Sequence, residues 1–242
     1  METIPSYVSI VFILTTFAAI AFLIQAIKSV GSRSLPSQIL LFLLPLWILF
    51  QAVVALGGFY QNDNAFPPRL VLFGVLPAIA LVILYFLFFR FSFIERIPLR
   101  LLTLLHIVRI PVELVLYWLF IGKLIPQIMT FEGRNFDILS GFLALIVYFV
   151  AFGAGVTKKW FFVGFNIIGL ILLANVVIIA IISLPSPIQQ IAFEQPNRAV
   201  TFFPYVWLPT IIVPIVLFSH LAALWKLLRP ANPKSLNLLN SY

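Results

Sequence analysis

Apolar residues run along this chain in seven long blocks separated by short polar interruptions. A helix needs about 20 such residues to cross a bilayer, and the blocks predict helices over Tyr7–Ile27, Gln38–Phe59, Leu70–Phe89, Leu99–Ile121, Ile138–Val156, Phe161–Leu184 and Val206–Leu227. Strands of a membrane barrel would alternate apolar and polar positions over about ten residues, and no such alternation occurs. The pattern therefore predicts an all-α fold, a polytopic membrane helix bundle with seven transmembrane helices. One transmembrane domain covers residues 1–242. Only the tail from Arg229 to Tyr242, polar and containing Pro230 and Pro233, reads as loosely structured.

Composition sharpens this picture. At 63% hydrophobic and 9% charged, with a mean hydropathy of +1.15, the chain has too few polar residues for the shell of a water-soluble fold. It contains no cysteine, which excludes disulfides, thiolate metal sites, iron–sulfur clusters and cysteine nucleophiles. Glu2 precedes the first apolar run with no basic residue before it, which argues against a cleaved signal peptide.

The net charge of +8 is divided among short loops, so it reports orientation and gives no basis for binding nucleic acid. One set of loops holds Lys28, Arg33, Arg90, Arg96, Arg100, Lys158, Lys159, Lys226, Arg229 and Lys234 against Glu95. The other holds Arg69, Lys123, Arg134 and Arg198 against Glu2, Asp63, Glu132, Asp137 and Glu194. Basic loops stay in the cytoplasm, which predicts an N-terminus outside and a C-terminus inside. Trp118 and Trp207 near outer ends, and Trp160 and Trp225 near inner ends, fit interfacial anchors. The expected address is the bacterial cytoplasmic (inner) membrane, crossed many times, with the lipid bilayer as first partner. Retinal would need a lysine in the middle of the last helix, whereas Lys226 sits at its cytoplasmic end.

Two pairs of spans share short runs. The second and sixth read Leu49-Phe-Gln51-Ala-Val-Val and Leu173-Ala-Asn175-Val-Val, and the third and seventh centre on Pro77 and Pro214. Either a three-plus-one-plus-three plan with parallel triads, as in SWEET-type sugar carriers, or chance likeness between apolar segments accounts for this.

The candidate chemistry lies in the fourth span. His106, Arg109, Glu113 and Tyr117 are spaced three, four and four residues apart and so share one helix face. Ionisable groups inside a membrane helix are costly and usually face a partner, a wet cavity or a substrate path. Pro111 cannot donate to the Ile107 carbonyl, so a kink is expected beside the charges. Two readings compete: a binding or proton-relay site, or an Arg109–Glu113 pair that braces neighbouring helices. His220 in the last span falls at the depth of His106, and the two could ligate haem b or each hydrogen-bond a neighbouring helix. Gln51, Asn166 and Asn175 are mid-span amides suited to interhelical hydrogen bonds or to the same polar interior. In the outer loops Glu132, Arg134, Asn135, Asp137, Glu194 and Arg198 form a candidate vestibule, with Asp137 the expected N-cap of the fifth helix.

The segments Arg109-Ile-Pro-Val-Glu113, Met129 to Gly141 and Gln189 to Asn197 resemble an uncharacterised bacterial family of seven-span integral membrane proteins, over roughly His106 to His220. That family has no established activity, so the resemblance implies a bacterial source and no mechanism. The marks of membrane enzymes are missing, among them a Gly-x-Ser-x-Gly elbow and multi-histidine boxes. Three functions remain. The leading one binds or transports a small polar solute or proton through the fourth helix, with no metal and no cofactor. The second is a haem b electron-transfer protein with His106 and His220 as ligands. The third is a non-catalytic membrane subunit or assembly factor, acting as a homo-oligomer or with a partner subunit.

Overall fold

The structure is a computed structural model that describes residues 4–153 and 159–229. Glu2, Lys158 and Lys234 of the charge pattern, the residues from Ala154 to Val156 of the fifth expected span, and the tail beyond Arg229 lie outside the described residues. The described residues form no strand. Seven rods carry the fold: α1 (Ser6–Val30), α2 (Leu35–Leu56), α3 (Val71–Phe89), α4 (Leu99–Ile121), α5 (Asp137–Phe152), α6 (Lys159–Ile182) and α7 (Leu208–Leu228). Six are long and apolar enough to cross a membrane, and α5 is shorter.

Helix ends follow local chemistry. α2 begins earlier than expected because Ser34 stands at the N-cap and Pro36 fits the first turn. It stops at Leu56, short of Phe59, because Gly57 and Gly58 follow and Gly58 takes a φ of +71°. α6 closes at Ile182, where Ser183 donates its hydroxyl to the Ile179 carbonyl at 2.7 Å.

Among the long helices the two least apolar are the two most buried. α4 and α7 have the lowest mean hydropathies, 1.8 and 2.0, and bury half or more of their apolar windows. α2 and α3, at 2.6 and 2.7, bury only 22%. Helices whose faces meet hydrocarbon must be apolar all round, whereas enclosed ones can carry polar groups that find partners. α4 and α7 are thus the inner rods, and α1, α5 and α6 pack around them.

α3 and α7 share a device at the positions of the short sequence repeat. Each opens with one wide π-helical turn, Val71–Val75 and Leu208–Ile212, immediately before Leu76-Pro77 and Val213-Pro214. A proline cannot donate to the carbonyl four residues back, which strands those of Phe73 and Thr210. Both are taken up by α2: Gln51 Nε2 donates to Phe73 O at 3.1 Å, and Trp47 Nε1 donates to Thr210 O at 3.0 Å. Gln51 Oε1 also accepts the Tyr60 hydroxyl at 2.7 Å. Gln51 is therefore a clamp between α2 and α3, remote from the polar stripe of α4. Trp207, expected as an interfacial anchor, is buried and donates to Ile48 O at 3.2 Å.

At one end of the bundle the segment after α6 folds back over α4. The backbone amides of Arg198 and Ala199 both donate to Leu124 O, and Gln195 Nε2 donates to Phe120 O at 3.0 Å. This cap closes the end beneath which the polar centre lies.

Candidate functional site

Inside the bundle, α4 carries a short 3-10 turn at His106–Val108 and resumes as α-helix at Arg109, so the tightening sits just before Pro111. His106, Arg109 and Glu113 point inward, each exposing no more than 2% of its surface. Tyr117, the fourth member of the expected stripe, is only half-buried and stacks on Phe131 at 5.0 Å, apart from the charges.

Arg109 organises the centre. Its Nε donates to Asp137 Oδ2 at 2.6 Å and its Nη2 to Asp137 Oδ1, a fork-to-fork ion pair. Nη1 donates to Ser140 Oγ at 2.6 Å and to His220 Nε2 at 3.0 Å, and Nη2 donates to Gly169 O at 3.2 Å. All five guanidinium hydrogens are thereby used. Since arginine only donates, His220 Nε2 is an acceptor and its proton lies on Nδ1, which donates to Asn166 Oδ1 at 2.9 Å. Asn166 Nδ2 then donates to Phe162 O at 2.8 Å. The close approach depends on Gly169, where a Cβ would run into the His220 ring and come within 3.1 Å of Ser140 Oγ.

This arrangement corrects two expectations. Arg109 does not pair with Glu113; its counter-ion is Asp137, assigned from sequence to the outer vestibule and to the cap of the fifth helix. The i, i+4 spacing puts Glu113 on the same face of α4, but Asp137 approaches from α5 and accepts from Nε and Nη2 with its two oxygens, while Glu113 Oε1 is taken by Asn135. The N-terminal turn of α5 is fastened instead by Asn135, whose Oδ1 accepts the Asp137 amide at 3.1 Å. Asn135 Nδ2 donates to Glu113 Oε1 at 2.6 Å and to Met129 O at 2.9 Å.

Glu113 therefore has a single partner. Its Oε2 is buried and meets no donor among the described residues. Beside it lies a cavity of about 80 Å³ among α3, α4, α6 and α7, where Arg109, Glu113 and Asp137 are the charged groups in an otherwise apolar wall.

His106 and His220 do meet, as their matched depths require, but as parallel plates. Their ring centroids are 3.7 Å apart with planes 16° from parallel, and Phe165 closes edge-on against His106 at 5.5 Å. Haem ligation needs a macrocycle between two imidazole nitrogens that point at the iron. Rings stacked in contact, with both His220 nitrogens already committed, do not fit that group. Neither nitrogen of His106 has a hydrogen-bond partner among the described residues. Among the described residues no group of three His, Cys, Asp or Glu side chains could hold a metal ion.

The remaining expected residues scatter. Glu132, Arg134, Glu194 and Arg198 are exposed, and Arg198 pairs with Asp63 at 3.2 Å. Asn175 donates to Arg134 O at 2.7 Å and so ties α6 to the loop before α5. Ser140 and Gly169 went unnoticed in the sequence, although each left a trace. Asp137 and Ser140, and Asn166 and Gly169, are polar or small residues three apart, which places each pair on one helix face.

Fold and centre together define a class: an all-helical protein whose apolar, membrane-length helices enclose a buried ionic network. A family model described as a domain of unknown function (DUF8737) matches residues 67–228, and the chain belongs to that family. The match spans α3 to α7 and every residue of the network, while α1 and α2 precede it. No curated protein and no solved structure matches the chain.

Proposed function

We propose that this is a bacterial cytoplasmic-membrane protein, N-terminus out and C-terminus in, that binds or moves a proton or small solute at Glu113. The observation that carries the reading is the unpartnered, buried Glu113 Oε2 beside a cavity. Arg109 is neutralised by Asp137 and has no hydrogen left to give, so it acts as a fixed positive strut. Glu113, held through one oxygen by Asn135, keeps the other for exchange. A carboxyl serving structure alone would have both oxygens satisfied, because an unmet buried acceptor is costly. The orientation rests on the basic loops at one end of the bundle.

Infrared difference spectra of the reconstituted protein between two pH values test this. A carboxyl C=O band should respond to bulk pH in the wild type and vanish in Glu113→Gln. A wild-type spectrum without such a band, or one that survives the substitution, overturns the proposal.

A further inference from the structure

The cavity beside Glu113 has a definite way in. Its floor is made by buried groups of α4 and α5: Glu113, Arg109 and Asp137. The turns Gln127–Met129 and Ala199–Thr201 close its top, each contributing one buried apolar side chain, Met129 and Val200. The half-exposed lining residues are Val177 and Ile181 of α6, Pro209 and Val213 of α7, and their apolar neighbours. With Val75 of α3, these residues mark a lateral slot along the last turns of α6 and the first turns of α7, rimmed by apolar side chains. A strongly hydrated solute would shed its water against these side chains with nothing to replace it. A molecule already dissolved in the lipid phase would not.

The charge of the floor selects among such molecules. It holds one guanidinium and two carboxyl groups, and the guanidinium is consumed by Asp137. The polar capacity left is Glu113 Oε2, an acceptor with no cation of its own. To the ionised carboxyl an occupant donates a hydrogen bond, complementing the site best if it carries positive charge, and it presents an apolar body to Leu116, Leu173 and Val213. A carboxylate or other anion would meet like charge.

We propose that this slot is a binding site for a small lipid-soluble amine, whose ammonium group meets Glu113 while its tail lies between α6 and α7. The proposal rests on Glu113 as the exchangeable centre and adds the chemical class of what reaches it. The volume of about 80 Å³ limits the enclosed part to a head group and a few methylenes, with a longer tail trailing out through the slot.

The test uses n-hexylamine, 1-hexanol and hexanoate as matched probes, with thermal unfolding of the detergent-solubilised full chain as the readout. A ligand that binds only the folded state raises Tm in a saturable way. Hexylamine should do so, hexanol much more weakly and hexanoate not at all. Glu113→Gln should weaken the apparent affinity for hexylamine by at least about tenfold. Ala180→Phe, which narrows the slot without touching the carboxyl, should abolish the shift and covers the case in which Glu113→Gln fails to fold. Equal stabilisation by hexanol, a hexylamine shift that survives both substitutions, or no shift at all overturns the proposal. The pH-responsive carboxyl band would remain in each of those cases, so the two proposals fail separately.

Discussion

A single arginine decides the interior chemistry of this protein. Burying a guanidinium among apolar helices is tolerable only when every hydrogen finds an acceptor, and here the five partners come from α5, α6 and α7. Removing one ionic partner should therefore be worse than removing both. Asp137→Asn leaves a buried cation short of its counter-charge and should cost about 3–5 kcal/mol. The double substitution Arg109→Met/Asp137→Leu should cost less than either charge-breaking single change. Denaturation in detergent measures the cycle; a double variant as damaged as the sum of its singles would show that the pair is not the unit we describe. The stripe on α4 was legible in the sequence because 3.6-residue periodicity is local. The identity of the counter-ion was not, because Asp137 is 28 residues from Arg109 and the choice between it and Glu113 is one of three-dimensional reach.

At the scale of helices, prolines set the terms. Pro77 and Pro214 each open a gap in a backbone ladder, and α2 fills both with side chains one turn apart, Gln51 and Trp47. Tyr60, in the loop after α2, has its phenol pushed up to about 12, by burial first and against the hydrogen bond to Gln51, so it still donates to Gln51 at neutral pH. Gln51→Leu leaves the Phe73 carbonyl and the Tyr60 hydroxyl unmet and should destabilise by about 1–3 kcal/mol. Pro77→Ala restores a backbone donor to Phe73, so the Gln51→Leu penalty should shrink in that background. Strictly additive losses in the same melting assay would mean that the proline does not orphan this carbonyl. The repeated proline positions were visible in the chain. That one neighbouring helix serves both gaps was not, since the pairings span 22 and 163 residues.

For the whole molecule, the contrast between α4 and α7, least apolar and most buried, and α2 and α3, strongly apolar and least buried, sets the first pair inside and the second outside. The exposed large apolar residues of the outer helices, among them Phe42, Leu49, Leu56 and Phe88, are compatible with a membrane. The absence of cysteine makes orientation easy to test. Single cysteines at two exposed loop positions, Glu132→Cys and Arg96→Cys, should react with a membrane-impermeant maleimide from opposite sides. The first should label in intact cells and the second only after the membrane is opened. The reverse pattern would invert the proposed topology, and labelling of both in intact cells would refute the alternation.

The one-dimensional code determined the number and apolar character of the rods and the face of α4 that carries charge. These depend on composition and on the geometry of single helices. Which groups meet was decided by packing alone. Two histidines at one depth became a stack rather than a pair of ligands, because Gly169 let α6 close on His220 while Arg109 claimed its free nitrogen. Two residues read as loop chemistry, Asn135 and Asp137, became the inner wall of the site because the start of α5 dips into the bundle. Partner choice between segments far apart in sequence is set by distances, and those exist only once the helices have come together.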